Sequence, residues 1–274
     1  MTAVVSIRMS HRRQFQPLKL RAATSCRRLF GYFFNLLLAV LLVSGFQALV
    51  PAAESSALIV TGISPTPDDA TNWLSLASAT KRLLVARGLP ENRVEILDEN
   101  VTRDLVLKKL QAVSTSTNEE FWLVLYGISG RSRGNQPAFQ VSGPRLTAAD
   151  LKLALDAIPA RQFVFIGTGD SGGFLPVLQD GRRTILSATK EEGEPDQPRF
   201  PDAWVKAFGE NPKAPFAVIA ARAAADVDAE YSELHLAQDE HSRLADPATG
   251  KILEPPFGVN LNATNPPPAN PTEK

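Results

Sequence analysis

Short apolar runs alternate with segments of helical spacing along most of this chain, and this alternation constrains the fold more than any other feature of the sequence. Five apolar runs predict buried strands, at residues 57–62, 94–97, 121–126, 163–167 and 184–187. Because these runs are apolar on both faces, they indicate a parallel sheet covered by helices. The sequence therefore predicts an α/β fold with a mostly parallel sheet.

The segments between the runs carry helix signals at their ends. Gly88 lies where a helix C-cap belongs, and Thr102 lies where an N-cap belongs. Thr147 and Asp150 have the spacing of a capping box, which predicts a helix that begins beside them. Apolar residues at helical spacing predict a long C-terminal helix over residues 216–234.

The N-terminal region has the composition of a targeting segment. Residues 1–28 contain seven basic side chains and no acidic one, residues 29–50 are almost entirely apolar, and small residues follow at Ala52 and Ala53. This pattern predicts that residues 1–53 are either a cleaved signal peptide or a retained membrane anchor that spans through residues 29–50. In both cases the remainder of the chain is expected outside the cytoplasm, in the periplasm or the extracellular space, and it contacts the membrane only if the leader is uncleaved.

The remainder is predicted to form one domain, residues 54–250, and a disordered tail rich in proline and asparagine, residues 251–274. Seven of the 29 basic residues lie in the leader, so the rest of the chain has 22 basic against 29 acidic residues. An acidic body without a basic cluster argues against nucleic acid as a partner. The single cysteine, Cys26, lies in the leader, so the body cannot form a disulfide, a thiolate metal site or a cysteine hydrolase site.

Cofactor and metal motifs are missing from the sequence. It contains no phosphate loop of the Walker type, and the glycines of a dinucleotide fingerprint do not follow the first predicted strand. His235 and His241 are six positions apart, which is not the spacing of two metal ligands on one helix face. The sequence predicts no cofactor and no metal.

Two loops rich in glycine and serine follow neighbouring apolar runs, at residues 126–132 and 167–174. Open parallel sheets bind ligands beyond the carboxyl ends of their strands, so these loops are the expected site. Within them, Asp170 is interpreted as a solvated carboxylate or as a contact for a cationic peptide. The flanking Arg131 is interpreted as ion-paired or solvated.

The second loop also fits G-x-S-x-G, the nucleophile elbow of α/β hydrolases. Ser171 follows a predicted strand, as the elbow requires. Asp226 or Asp228 and then His235 or His241 would complete the order serine, aspartate, histidine. A serine hydrolase that uses Ser171 is therefore the enzymatic alternative.

The same two loops resemble the caspase–legumain superfamily. Residues 121–129 resemble the strand that leads to Gly-His-Gly in that family, and residues 163–174 resemble the strand that leads to its catalytic cysteine. The letters Ser-Gly-Gly-Phe at 171–174 match the end of the second motif. With the segments at 143–151 and 239–246, the chain resembles an exported bacterial group of legumain-like proteins. The resemblance implies a caspase-like three-layer α-β-α sandwich over about residues 57–250.

The resemblance does not extend to the catalytic dyad. Ile128 stands at the position of the family's histidine, and Gly169 stands at the position of its cysteine. Neither residue can act as a base or a nucleophile. The resemblance thus implies a non-catalytic pseudo-peptidase that binds a peptide or protein of the cell envelope or serves as a scaffold, and a purely structural envelope component is the third possibility. The expected binding cleft consists of Gly127, Ser129, Asp170, Ser171 and Gly172.

Overall fold

The computed structural model describes residues 54–116, 118–190 and 194–261. It contains ten strands: β1 (Glu54–Thr61), β2 (Val94–Leu97), β3 (Asn118–Tyr126), β4 (Ser129–Arg131), β5 (Pro137–Phe139), β6 (Leu146–Thr147), β7 (Arg161–Gly167), β8 (Arg183–Ser187), β9 (Arg243–Asp246) and β10 (Lys251–Leu253). The helices are α1 (Pro67–Arg87), α2 (Arg103–Ser114), α3 (Ala148–Asp156), α4 (Leu175–Leu178), α5 (Phe200–Glu210) and α6 (Phe216–Glu233). Short 3₁₀ turns cover Glu91–Arg93 and Ser171–Phe174.

The main sheet has seven strands in the order β10-β9-β8-β7-β3-β1-β2. The five strands from β8 to β2 are parallel, and β9 and β10 continue the sheet in antiparallel pairing. These five parallel strands are the five that the sequence predicts. The predicted α/β fold with a mostly parallel sheet is confirmed. Strands β4, β5 and β6 form a separate small antiparallel sheet.

Helices cover both faces of the main sheet, which makes three layers. The register aligns Ile59, Val124, Phe165 and Leu186 in one row across the sheet, and this row belongs to a core cluster shared with α1, α5 and α6. The neighbouring residues along each strand point to the other face. They form a second cluster with α2, α3 and α4. The apolar runs of β1, β3, β7 and β8 are continuous because these strands are buried on both faces, whereas Glu95 in the edge strand β2 is exposed.

The helix ends lie where local side-chain chemistry places them. The N–H of Gly88, at φ +120°, bonds the carbonyls of Leu84 and Val85 and ends α1. The side chain of Thr102 accepts the N–H of Leu105 at the start of α2. Thr147 and Asp150 form the predicted capping box at the start of α3. These predicted boundaries are confirmed, and α6 ends at Glu233, one residue before the predicted end.

The C-terminal part of the chain differs from the prediction. Residues 251–261, which the composition assigned to a tail, instead include β10 and a stretch that packs on the core. Phe257 is 3% exposed, and Val259 and Leu261 pack against the first core cluster. The sequence analysis predicted a tail because this region is rich in proline and asparagine. Its few apolar residues nevertheless bury enough surface to hold the segment against the domain. The rest of the predicted tail, residues 262–274, lies outside the described residues.

The predicted leader, residues 1–53, also lies outside the described residues. Among the helices of the described part, none is both long enough and apolar enough to span a membrane.

Candidate functional site

The two loops expected to form the site lie side by side. Strands β3 and β7 are parallel neighbours, so their carboxyl ends reach the same edge of the sheet. The hydroxyl of Ser129, after β3, donates to the carbonyl oxygen of Gly169, after β7, at 2.7 Å, and it is also hydrogen-bonded to the hydroxyl of Thr168. The prediction that these loops meet at one edge is confirmed.

Ile128 and Gly169 are both fixed by packing at this edge. Ile128 is partly buried against the first core cluster, and its carbonyl oxygen accepts the N–H of Gln140 at 2.9 Å. Gly169 faces another part of the chain: a methyl group on its Cα would lie 2.6 Å from the carbonyl oxygen of Pro195 and 2.7 Å from the Cα of Asp196. Backbone atoms therefore occupy the space that a side chain at position 169 would need.

Ser171 is a buried structural serine in this fold. Its exposed fraction is 0%. Its N–H donates to the hydroxyl of Thr189 at 3.0 Å, and its hydroxyl oxygen accepts the N–H of Thr189 at the same distance. A nucleophile elbow instead presents its serine at the top of the sheet in a strained turn. Here the left-handed residue is Asp170, at φ 49°, and not Ser171.

Three of the four partners proposed for Ser171 are engaged elsewhere. His235 is exposed just beyond α6, and His241 bonds through Nδ1 to the carboxylate of Glu194 at 2.8 Å. Asp226 pairs with Lys206, and Asp228 accepts a hydrogen bond from Gln238. Within the described ranges no histidine is hydrogen-bonded to Ser171. The structure therefore gives no support to the serine hydrolase alternative.

The rest of the expected cleft is equally filled. Gly127 is buried, with the ring of Phe139 3.1 Å from the place where its Cβ would be, and Gly172 lies against the carbonyl oxygen of Lys190. The carboxylate of Asp170 pairs with Arg131 at 3.4 Å, so Arg131 is ion-paired rather than solvated. The interpretation of Asp170 as a solvated carboxylate is wrong, because this pairing leaves its side chain mostly buried. We call the residues Gly127, Ser129, Gly169, Ser171 and Gly172 the closed edge. The cavity beside Gly127 and Gly167 has a volume of about 40 Å³, enough for water but not for a peptide side chain.

Several polar contacts hold the segment that covers the closed edge. We call residues 194–199 the covering segment. The carboxylate of Glu194 accepts the N–H groups of Lys190 and His241, and the side chain of Gln197 donates to Asp69 at 2.8 Å.

At the end of the covering segment, Glu240 is the buried acceptor. Its two carboxylate oxygens accept the N–H groups of Arg199 and Phe200 at 2.9 and 2.7 Å, and its exposed fraction is 2%. Burial raises the pKa of Glu240 to about 7, although the two N–H donors act in the opposite direction. The sequence analysis missed Glu194 and Glu240 because their roles depend on contacts between distant parts of the chain.

A different part of the same sheet edge is open. The groove beyond the carboxyl ends of β1 and β2 has a volume of about 350 Å³. It is lined by residues 61–64 at the end of β1, by residues 98–101 after β2, and by part of α1. We call this the β1–β2 groove. The sequence analysis did not predict it, and the available signal was the polar turn at residues 98–100 directly after a predicted strand.

The strand order has a second expected position for a site, beside the closed edge. The order reverses between β1 and β3, and open sheets bind ligands at such a reversal. In this chain, however, Phe139 and Gln140 reach over that point: a methyl group on Gly62 would lie 2.6 Å from the carbonyl oxygen of Gln140. The segment of the small sheet around Phe139 thus fills the usual ligand position between β1 and β3. The β1–β2 groove lies beside it and is open.

The part of the chain that the structure describes contains no cluster of three potential metal ligands. A comparison with protein-family models finds no match to this chain, and a comparison with curated proteins finds none either.

Proposed function

We propose that this chain is an exported, caspase/legumain-like pseudo-peptidase that binds a peptide or protein in the cell envelope, or scaffolds one, without hydrolysing it. Three features support the caspase-like part of the proposal. The sheet lies between two helical layers, the two loops that resemble the family's catalytic loops follow adjacent parallel strands, and a hydrogen bond from Ser129 to Gly169 joins them.

The packing at Gly169 is the observation that carries the non-catalytic part. A cysteine peptidase needs a thiolate and an imidazole within hydrogen-bond reach of each other. At the matching positions stand an isoleucine and a glycine, and the backbone of Pro195 and Asp196 fills the space above the glycine. The chain therefore lacks both side chains of the dyad, and it also lacks the space for a cysteine side chain at position 169.

Ser171, the alternative nucleophile at this edge, is buried away from solvent. Ser171 exchanges hydrogen bonds with Thr189, and its exposed fraction is 0%. A serine hydroxyl needs an adjacent base and access to a carbonyl carbon to act as a nucleophile. Ser171 has neither in the described residues, so we assign it to the folding of the loop.

Export is supported by the sequence of residues 1–53, where a basic segment precedes an apolar one. A reporter fused after Glu54 should be active only outside the cytoplasm. A reporter that is active only in the cytoplasm would refute the assignment to the envelope.

The non-catalytic function can be tested on the full chain purified in mild detergent. Wild-type protein, Ser171→Ala and the exposed control Ser232→Ala are treated with a fluorophosphonate and with pools of fluorogenic peptides. We expect neither labelling nor hydrolysis in any of them, while pools of fluorescent peptides include members that bind saturably. Hydrolysis that is lost in Ser171→Ala and kept in Ser232→Ala would overturn the proposal.

A further inference from the structure

The β1–β2 groove combines an apolar floor with an acidic rim. Ile63 is 45% exposed and Leu74 is 41% exposed, and both line the groove beside the buried Trp73. Asp98 and Glu99 line its other side. Large aliphatic side chains left half in water at the mouth of a concavity are typical of a binding surface.

The two carboxylates are not used within the domain. Over the described ranges, neither Asp98 nor Glu99 forms an ion pair or a side-chain hydrogen bond. The backbone also holds this turn in an uncommon conformation, with φ 48° at Glu99 and φ 54° at Asn100. The lining residues include no lysine and no arginine, so the potential in the groove is negative.

We propose that the β1–β2 groove binds a peptide segment of a partner protein that presents lysine or arginine next to an aliphatic side chain. This inference rests on the proposed peptide-binding function and names its site and its ligand class. The aliphatic side chain packs on Ile63 and Leu74, and the cationic group lies between Asp98 and Glu99. A volume of about 350 Å³ is within the range of small-ligand pockets and accommodates a few side chains rather than a folded domain.

Charge complementarity selects this occupant over others. The negative groove repels nucleic acid and the anionic surface of a membrane, whereas a basic peptide is attracted to it. The larger groove between α5 and α6, about 520 Å³, also contains carboxylates, of which Glu230 and Asp226 are paired with Arg199 and Lys206. Its only apolar lining residues are alanines, so it offers no large aliphatic side chain to a ligand. Unpaired acidic groups beside exposed aliphatic side chains distinguish the β1–β2 groove.

The test measures the fluorescence anisotropy of two short amidated peptides, one of alternating leucine and lysine and one of alternating leucine and glutamate, with the full chain in detergent. The groove variants are Asp98→Asn with Glu99→Gln, and Ile63→Ser with Leu74→Ser. The matched controls are Glu91→Gln, which precedes β2 at the opposite edge of the sheet, and Leu153→Ser, an exposed leucine on α3. Sedimentation of each variant reports folding and self-association.

We expect the lysine peptide to bind and the glutamate peptide not to bind. Each groove variant should raise the Kd of the lysine peptide by about five- to tenfold, and the controls should leave it unchanged. Binding should weaken as salt is added, less so in the variant without the two carboxylates. Amide exchange over residues 61–64 and 98–101 should slow in the complex.

Other outcomes overturn the inference in separable ways. If the lysine peptide binds equally to both groove variants, the groove is not its site, although peptide binding as such stands. If the groove variants change self-association and not peptide affinity, the occupant is a second copy of this chain. If neither peptide binds to any form, the ligand class is wrong. Hydrolysis by wild-type protein would instead contradict the proposed function itself.

Discussion

The closed edge and the β1–β2 groove lie at the carboxyl ends of neighbouring strands of one sheet, yet they differ in almost every property. At the closed edge, backbone from the covering segment, the backbone of Lys190 and the ring of Phe139 fill the space above the glycines. In the groove, aliphatic side chains and carboxylates face solvent. The position in the fold where a site is expected is thus not always the position that is open to solvent.

The difference also shows how packing can close one part of a sheet edge. Here the chain itself covers Gly169, and the contacts of Glu194 and Glu240 hold that cover in place. Packing fills this part of the edge, while the neighbouring part is accessible to solvent.

The largest effect is expected for Gly172→Ala at the closed edge. A methyl group there would lie 1.2 Å from the carbonyl oxygen of Lys190, so the backbone of one loop must move. We expect a loss of about 3 kcal/mol or more in the free energy of unfolding, measured with urea. Gly181→Ala is the control, because nothing lies within 4 Å of its added methyl group. Equal stability of the two variants would mean that the edge is loosely packed.

The next largest effect is the pH dependence that Glu240 gives to the free energy of unfolding. Because burial raises its pKa from 4.5 to about 7, the folded state binds more protons than the unfolded state between these values. Its stabilising contribution is complete below pH 4.5 and is lost as the pH rises through about 7, a change of about 3 kcal/mol. The charged neighbours Glu194 and Arg199 act on it in opposite directions.

Glu240→Gln should therefore flatten the fall in unfolding free energy between pH 4.5 and pH 7.5. It should also lower stability at acid pH by about 1–2 kcal/mol, since an amide nitrogen cannot accept the second N–H donor, whereas the hydroxyl oxygen of the protonated carboxyl can. Exposed Glu233→Gln on α6 provides the control and should keep the wild-type slope. The same slope in Glu240→Gln as in wild type would show that another group produces it.

Ser171→Ala should have a smaller effect, on stability alone. The N–H of Thr189 loses its acceptor inside the domain, which costs about 1–2 kcal/mol. Thermal unfolding of this variant and of Ser232→Ala, an exposed helical serine, measures the difference. A variant at Ser171 that is as stable as wild type would indicate that the hydroxyl is not needed to close the edge.

The smallest effect is expected in the groove. Leu74 is already 41% exposed, so Leu74→Ser removes little buried area and should change the free energy of unfolding by less than about 1 kcal/mol. Its neighbour on the buried face of α1, Leu76, is 7% exposed, and Leu76→Ser should cost about 3 kcal/mol. Urea unfolding measures the free energy of unfolding of both variants. A large loss of that free energy in Leu74→Ser would mean that the groove is part of the core.

Local signals in the sequence were sufficient for the framework of the fold. Apolar runs predicted the five parallel strands, and Gly88, Thr102 and Thr147 predicted helix ends, because each signal acts within a few residues. The meeting of the two loops also followed, since parallel strands bring their carboxyl ends to one edge.

Local sequence signals could not predict contacts between segments that are distant along the chain. Nothing local to Gly169 reveals that Pro195 and Asp196 lie over it, and the short strand that ends at Phe139 has too few residues for a periodic pattern. Arg183 illustrates the limit elsewhere: a charged residue is expected on the surface, yet this one is fully buried and bonded to Gln162 and Asp156. Such positions depend on tertiary structure and not on composition.

Thiol reactivity at position 169 tests the central claim most directly. Gly169→Cys and Gly130→Cys are each prepared in full chain that carries Cys26→Ser, and alkylation is followed beside circular dichroism. Nothing lies within 4 Å of a methyl group on Gly130, so its cysteine should react at the rate of an unfolded control. Gly169→Cys should either remain folded with a protected thiol or lose its cooperative unfolding transition. A folded Gly169→Cys protein that reacts as fast as Gly130→Cys would show that the edge is open and would contradict the account.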